Sequence, residues 1–303
     1  MRCAREGRLG SRTTIEYPNY SYRNRRPTSG VQDYSLNFHT LISRTRRAFQ
    51  QMAMFSDGRS CLRYMRMRVR RPSPNRAPLP ALQLKVRAIN GQRVFCRPGT
   101  TDFSVLYETF CGRYHLPPAD LKIRTILDLG SNIGLTIAHY ASLYPEARVL
   151  GIEMDPGNAE VCRSNIAPYA GRCEVLVAAA WKEDGEISYG GDTEWGFRIT
   201  PESGGGSCRA RAFSVSSLID QLGTSCVDFV KMDIEGAERE VLADAGKWSG
   251  RVRCLKVEVH PPYTVAACVR DLECAGMRCE VQQNHFGCVL AWQPEVWSAL
   301  RCR

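Results

Sequence analysis

Three segments carry residues whose types and spacing could do chemistry. The most charged is 231-KMDIEGAE-238, where Lys231, Asp233, Glu235 and Glu238 crowd the end of an apolar run, Val227–Met232. A carboxylate in such a place can orient a hydroxyl or take its proton. Glu238 equally suits a second task, complementing the dipole of the helix that Gly236 opens. Further on, 257-VEVHPPY-263 sets Glu258 and His260 two residues apart, on one face of a strand, with the imidazole at its end. An imidazole there can act as a base near neutral pH; a structural histidine satisfied by its neighbours fits the same pattern. Asp233, Glu235 and His260 are the candidate catalytic residues. No spacing defines a metal-ligand set and none is assigned, although Asp233 and Glu235 near Glu258 are chemically able to hold a divalent ion.

The third segment is 128-DLGSNIG-134. Gly130 and Gly134 flank a tight turn from a strand into a helix, where glycine permits φ > 0 and close approach of a ligand to the backbone. The helix start offers unpaired N–H groups. A dinucleotide fingerprint begun at Gly130 needs glycines where this chain has Asn132 and Leu135, and the middle one is what seats a pyrophosphate. Its absence counts against a nicotinamide-dependent oxidoreductase. The remaining D-x-G-x-x-x-G pattern suits a nucleoside ligand without a pyrophosphate. Glu153, 19 residues past Gly134, closes the next strand and can accept hydrogen bonds from both ribose hydroxyls. Asp155 reads as an ordinary helix N-cap. The small residues at 178–180 could line an adenine pocket, with Ala179 at their centre.

These residues need strand ends to hold them, and the chain supplies the strands. Thr125–Leu129, Arg148–Glu153, Glu174–Ala178, Val227–Met232 and Cys254–Val259 are short apolar runs, separated by helical patterns at Ile133–Leu143, 156–166, 216–221 and Ala237–Ala245. A helix at Val265–Ala275 and strands near Met277–Gln282 and Cys288–Trp292 follow. The alternation predicts an α/β, doubly wound, mostly parallel Rossmann-like sheet with helices on both faces. Ligands bind such sheets beyond the carboxyl ends of the strands, which is where the three segments lie. Residues 183–211 are Gly-rich and polar, a candidate substrate lid. Upstream, Leu82, Leu84 and Val86 alternate before an Asn90-Gly91 turn, a hairpin signal.

The net charge of +10 belongs to one region. Residues 1–80 hold 17 Arg, no Lys and 4 acids, whereas 81–303 hold 24 basic and 27 acidic residues. The sequence therefore divides into an Arg-rich, flexible extension ending in the Pro-rich linker 71-RPSPNRAPLP-80, and a catalytic domain over 81–303. Within the extension, Phe38–Met54 has the pattern of a basic helix, with Leu41, Ile42, Thr45, Ala48 and Phe49 on one side. Its arginines leave one rival reading open, an RNA or other nucleic-acid methyltransferase or binding protein that uses the arm. The near-neutral remainder argues against nucleic acid as the partner. The 14 cysteines form no C-x-x-C and no zinc-finger spacing; with no apolar signal segment they read as reduced thiols in a cytoplasmic protein. No apolar run approaches the ~18–20 residues of a membrane span. P-loop, G-x-S-x-G and H-E-x-x-H motifs are absent, which argues against an NTPase, an α/β-hydrolase and a zincin.

Taken together, 126-ILDLGSNIGLT-136, 152-IEMDPGN-158 with Asn165, 228-DFVKMDIEGAEREVL-242 and 257-VEVH-260 resemble the FkbM-type methyltransferase family. The resemblance runs from about Thr101 to Trp292, and the K-x-D-x-E-G-x-E segment is its specific part. It implies S-adenosyl-L-methionine as cofactor and O-methylation of a hydroxyl on a small molecule, sugar or polyketide-type natural product. It places the cofactor turn on Asp128, Gly130, Asn132 and Gly134, and the ribose acid on Glu153. Members often carry Ala where this chain has Ser131, and the Arg-rich extension is no part of the pattern. The acceptor itself and the oligomeric state are not encoded in any motif.

Overall fold

Capped, glycine-bounded apolar runs set the element order. The computed structural model describes residues 48–69, 80–190, 198–199, 208–282 and 287–301, all within one compact unit, Ser43–Arg303. Residues 48–53 are helical. Then come α1 (Gly58–Val69), the hairpin β1 (Leu82–Lys85) and β2 (Arg93–Cys96), and α2 (Asp102–Tyr107). The alternation proper is β3 (Thr125–Leu129), α3 (Leu135–Leu143), β4 (Arg148–Glu153), α4 (Pro156–Ile166) and β5 (Cys173–Val177). Four short strands follow: β6 (Ala179–Ala180), β7 (Gly185–Gly190), β8 (Arg198–Ile199) and β9 (Cys208–Phe213). The chain continues through α5 (Val215–Gln221), β10 (Phe229–Met232), α6 (Glu238–Ala243), β11 (Cys254–Glu258), α7 (Val265–Cys274), β12 (Arg278–Val281), β13 (Cys288–Trp292) and α8 (Pro294–Arg301).

The main sheet has seven strands in the order β12-β13-β11-β10-β3-β4-β5. All run parallel except β13, which is antiparallel to both β11 and β12. The chain winds outward from β3 through β4 to β5, then returns to lay β10 on the other side of β3. The switch point between β3 and β10 is where such sheets bind ligands. Alternate residues bury opposite faces. Leu127, Leu129, Leu150, Ile152, Val230, Met232, Leu255 and Val257 form one core with α5, α6 and α7. Ile126, Val149, Phe229 and Cys254 form a second with Ile137, Tyr140, Cys162 and Ile166. Burial on both faces explains why these strands read as continuous apolar runs.

Caps fix the helix starts that matter for the site. Asp155 accepts a hydrogen bond from Asn158 N–H (2.7 Å), with Pro156 in the first turn of α4. Ser214 and Thr264 cap α5 and α7 in the same way. The segment read as Gly-rich and polar carries β7, β8 and the start of β9, which join β6 in a separate four-stranded sheet, β6-β9-β7-β8, while 191–197 and 200–207 lie outside the described residues. Among the described residues no helix is long and apolar enough to cross a membrane, and the twelve described cysteines are free thiols.

Part of the stretch assigned to a flexible extension is folded. Met54, Phe55 and Tyr64 are buried with Leu84, Val86, Val94, Leu106 and Ile133 in a third core. Phe55 bridges to Val86, and the Tyr64 ring lies 5.2 Å from Phe55 and 5.7 Å from Phe103, centroid to centroid. The physical reason is that these side chains need no core of their own, because they complete the one behind the hairpin. Of the helix expected at Phe38–Met54, residues 48–53 are observed, whereas Leu41, Ile42 and Thr45 fall outside the described residues, as do linker positions 71–79.

Truncating a large buried aromatic costs roughly 3–5 kcal/mol. Tyr64→Ala should therefore lower the urea-unfolding free energy of the full chain by about 3 kcal/mol. A loss below about 1 kcal/mol would mean that residues 48–69 do not belong to the cooperative unit.

Candidate active site

The turn after β3 is built for close approach. Gly130 has φ +80°, and a Cβ there would stand 1.8 Å from the Asp233 carbonyl oxygen. Gly134 has φ +77°, and its Cβ would stand 2.5 Å from Cys162 Sγ. Between them Asn132 takes the left-handed conformation at φ 49°. Its Oδ1 accepts from Ile133 N–H at 2.7 Å, the local bond that lets asparagine tolerate this region. Gly130 and Ser131 N–H both donate to the Ile152 carbonyl at 3.0 and 2.9 Å, tying the turn to the end of β4.

Glu153 ends β4 against that turn. Its Oε2 accepts from Asn132 N–H (2.8 Å) and its Oε1 from Asp155 N–H (2.9 Å). Burial pushes the carboxyl up to about 7, although the two N–H bonds pull the other way. Each oxygen retains acceptor capacity. Ala178 N–H donates to the Glu153 carbonyl at 3.0 Å, which sets Ala179, buried on β6, next along the chain. Gly130, Asn132, Gly134, Glu153 and Ala179 thus lie at adjoining strand ends. Asp128 differs: it is fully buried, with Oδ2 accepting from Thr136 Oγ1 and Oδ1 3.5 Å from Lys231 Nζ. It shapes the turn from beneath and presents no surface to a ligand.

Lys231 joins this turn to the acidic edge. Its ammonium, 4% exposed, donates to the Gly130 carbonyl at 2.9 Å and stands 3.3 Å from Asp233 Oδ2. Burial disfavours its charge, but Asp233 and Asp128 outweigh that and hold its pKa above the usual lysine value. Tyr114 OH reaches the same Asp233 oxygen at 3.5 Å. After β10 the chain turns through Glu235 (φ 53°) and Gly236 (φ 103°). Left-handed φ at a glutamate costs about 1 kcal/mol or more, and Glu238 offsets it: the N–H groups of Ile234 and Gly236 both donate to Glu238 Oε1 at 3.2 Å.

The same Glu238 oxygen lies 2.9 Å from His260 Nδ1. The imidazole is thereby oriented so that Nε2 faces Glu235 Oε2 (3.6 Å), Asp233 Oδ1 (3.8 Å) and Glu258 Oε1 (3.9 Å). Burial opposes the imidazolium, yet the Glu238 bond and the fields of Asp233 and Glu235 outweigh it and raise His260 to about 9. The surrounding carboxylates thus favour the imidazolium near neutral pH, which works against the base role expected of His260. Glu258 is raised in turn by burial and by Asp233.

The three predicted catalytic residues, Asp233, Glu235 and His260, therefore converge. Glu238 is fully buried and orients both the loop and His260, where its sequence position offered capping or function equally. Lys231 and Glu258 were visible in the motifs, but their contacts were not. Tyr114 carried no signal: it stands alone before β3, and only folding brings it to Asp233.

Comparison with known proteins gives the following. The pattern of the family described as "Methyltransferase FkbM domain" matches residues 128–286, just over half of the chain. O-methyltransferase imqG of Aspergillus flavus is 45% identical over 60 residues, which is 19% of this chain and 24% of that protein. 2-O-methyltransferase NoeI of Sinorhizobium fredii is 25% identical over 151 residues, 44% of this chain and 62% of that protein. The chain thus spans about a quarter and about six-tenths of the lengths of these two relatives. Among solved structures, the precorrin-6Y C5,15-methyltransferase of Geobacter metallireducens superposes with a TM-score of 0.38 at 14% identity, covering 60% of this chain and 84% of that one. The Methanococcus jannaschii fibrillarin pre-rRNA processing protein gives a TM-score of 0.40 at 13% identity, covering 74% and 87%.

The raised pKa of Glu153 makes a ligand-free prediction. Between its ordinary value of 4.5 and about 7 the folded state holds a proton that the unfolded state has lost. Glu153 therefore contributes stability below that window and loses it as pH rises through it, on the order of 3 kcal/mol in total. Denaturant titrations of wild type and Glu153→Gln should show a stability difference that shifts in the variant's favour from pH 4.5 to 7. Parallel curves for the two proteins would show that the carboxyl is not desolvated as described.

Proposed function

The chain belongs to the FkbM methyltransferase family, and from that premise we propose that it transfers a methyl group from S-adenosyl-L-methionine to a hydroxyl oxygen of a small molecule or carbohydrate. The observation that carries this reading is Glu153: a buried carboxylate at the exit of β4, bonded to the backbone of a glycine turn and set beside the switch point. Such an acid accepts hydrogen bonds from ribose hydroxyls, and a side chain at Gly130 or Gly134 would collide with Asp233 or Cys162 and push the turn out of place. With Asn132 where a dinucleotide site has its middle glycine, the turn favours a nucleoside over a pyrophosphate. The relatives named as O-methyltransferases agree with a hydroxyl acceptor.

When bound, S-adenosylmethionine supplies an electrophilic methyl group on a sulfonium. The chain's own residues then have two tasks. The first is alignment, since holding two reactants in an attack geometry can be worth ~7–11 kcal/mol. The glycine turn and the acidic edge are fastened for this by Lys231, which touches both. The second is the acceptor's proton. With His260 protonated, Asp233 and Glu235 are the groups that take or orient it, and Tyr114 and Lys231 hold the far oxygen of Asp233. A carboxylate-rich edge repels a phosphate backbone, which supports a small or carbohydrate acceptor over nucleic acid.

Calorimetry with S-adenosylmethionine and S-adenosylhomocysteine tests the donor: a one-to-one isotherm is expected from the full chain, and folded protein that binds neither overturns the proposal. Labelled-methyl transfer to hydroxylic acceptors from source-cell extracts then tests the reaction. Loss of a general base costs roughly 10²–10⁴-fold, so Asp233→Asn or Glu235→Gln should lower kcat by at least about 10²-fold while donor affinity persists. Undiminished kcat in Asp233→Asn, Glu235→Gln and His260→Gln together would remove these residues from the chemistry.

A further inference from the structure

We propose that Asp233, Glu235 and His260 form a divalent-metal site at the shared end of β10 and β11. The assignment deepens the reading above and rests on it only for its consequence, that the ion sits where an acceptor hydroxyl would be activated. One donor atom each from Asp233, Glu235 and His260 lies within 4.8 Å of the others. The distances from His260 Nε2 to Glu235 and Asp233, 3.6 and 3.8 Å, are too long for hydrogen bonds. They match the separation of donors sharing one ion, which at roughly 2.1 Å per metal–ligand bond stand about 3–4.2 Å apart.

A second observation concerns the imidazole's other nitrogen. His260 is not left to rotate: Nδ1 is bonded at 2.9 Å to Glu238, which is fully buried and pinned by two backbone N–H groups. A carboxylate on the remote nitrogen of a histidine fixes the ring's orientation, the arrangement that supports metal-binding imidazoles. Here it aims Nε2 at Asp233 and Glu235, and an ion bound there would displace the proton that this nitrogen otherwise carries. Lys231 does not resolve the charge, because it approaches Asp233 from Oδ2, the oxygen away from His260, and also serves Asp128 and Gly130. The strained φ of Glu235 gains a purpose as well, since the left-handed turn returns its carboxylate toward Nε2. One imidazole among carboxylates selects a first-row divalent ion such as Mn²⁺ or Zn²⁺ over Ca²⁺.

The test uses chelator-treated full-length protein titrated with MnCl₂, reading loss of the free Mn²⁺ resonance by electron paramagnetic resonance. One ion per chain is expected. His260→Gln and Glu235→Gln, each checked for wild-type unfolding behaviour, should weaken it at least tenfold. Asp233→Asn serves as the third variant if either fails to fold. No bound Mn²⁺ on folded wild type, or equal affinity in every folded variant, overturns the site. S-adenosylhomocysteine affinity on the same samples reports the glycine-turn pocket separately. Failure there with Mn²⁺ bound would sink the methyl-transfer reading and leave the metal site standing.

Discussion

One buried ammonium holds the architecture of the site together. Lys231 sits between the ends of β3 and β10, against the Gly130 carbonyl, Asp128 and Asp233. An ion taken out of water costs several kcal/mol unless partners repay it, and removing one partner from such a set is far worse than removing all. The consequence is geometric as much as energetic. Asp128 and Asp233 must stay where Lys231 needs them, so the turn that would seat a nucleoside and the loop that would handle a proton cannot drift apart. Hydrophobic packing alone would not give that precision, because the two cores lie beneath the strand ends rather than between the loops.

Glycine makes this coupling possible. The carbonyl of Asp233 lies where the Cβ of any other residue at position 130 would be. Backbone touches backbone across the switch point, and Lys231 reaches the Gly130 carbonyl because of that closeness. Farther back, the same economy recurs in Asn165. Its amide donates to the Ile133 carbonyl (2.7 Å) and the Phe95 carbonyl (3.2 Å), and its oxygen accepts from Phe95 N–H (2.6 Å). One buried side chain joins the turn, α4 and the hairpin, and through the hairpin the turn is braced by Tyr64 and Phe55. The stretch upstream of residue 80 thus contributes to the rigidity of the glycine turn.

The sequence made the sheet legible because its strands are buried on both faces and its helices are capped. The site residues were legible because a doubly wound sheet gathers its strand ends at one edge. What stayed hidden was of two kinds. Composition averaged over residues 1–80 concealed Met54, Phe55 and Tyr64, since a few apolar side chains among many arginines matter only if another element offers them a core. Contacts between loops were equally invisible. Nothing in the spacing of Glu238 and His260 tells that a single carboxylate oxygen would serve both the Ile234–Gly236 turn and the imidazole. Nor does it tell that Tyr114 would arrive from outside the alternation.

The hidden contacts change the chemistry assigned to visible residues. Read alone, His260 at a strand end is a base, because an isolated imidazole titrates near neutrality. Placed with Nδ1 on Glu238 and Nε2 before Asp233, Glu235 and Glu258, it becomes a group that answers negative charge, whether by keeping a second proton or by sharing a metal ion. Either way the proton-accepting capacity of the edge moves from the imidazole to the carboxylates. It also explains why Asp233 needs support on its other oxygen. A carboxylate facing three like charges would lean away from them, and Lys231 and Tyr114 hold it in place. The acidity of the edge and the buried lysine behind it are therefore one design. The cation that ties the two loops together also keeps Asp233 among its like-charged neighbours.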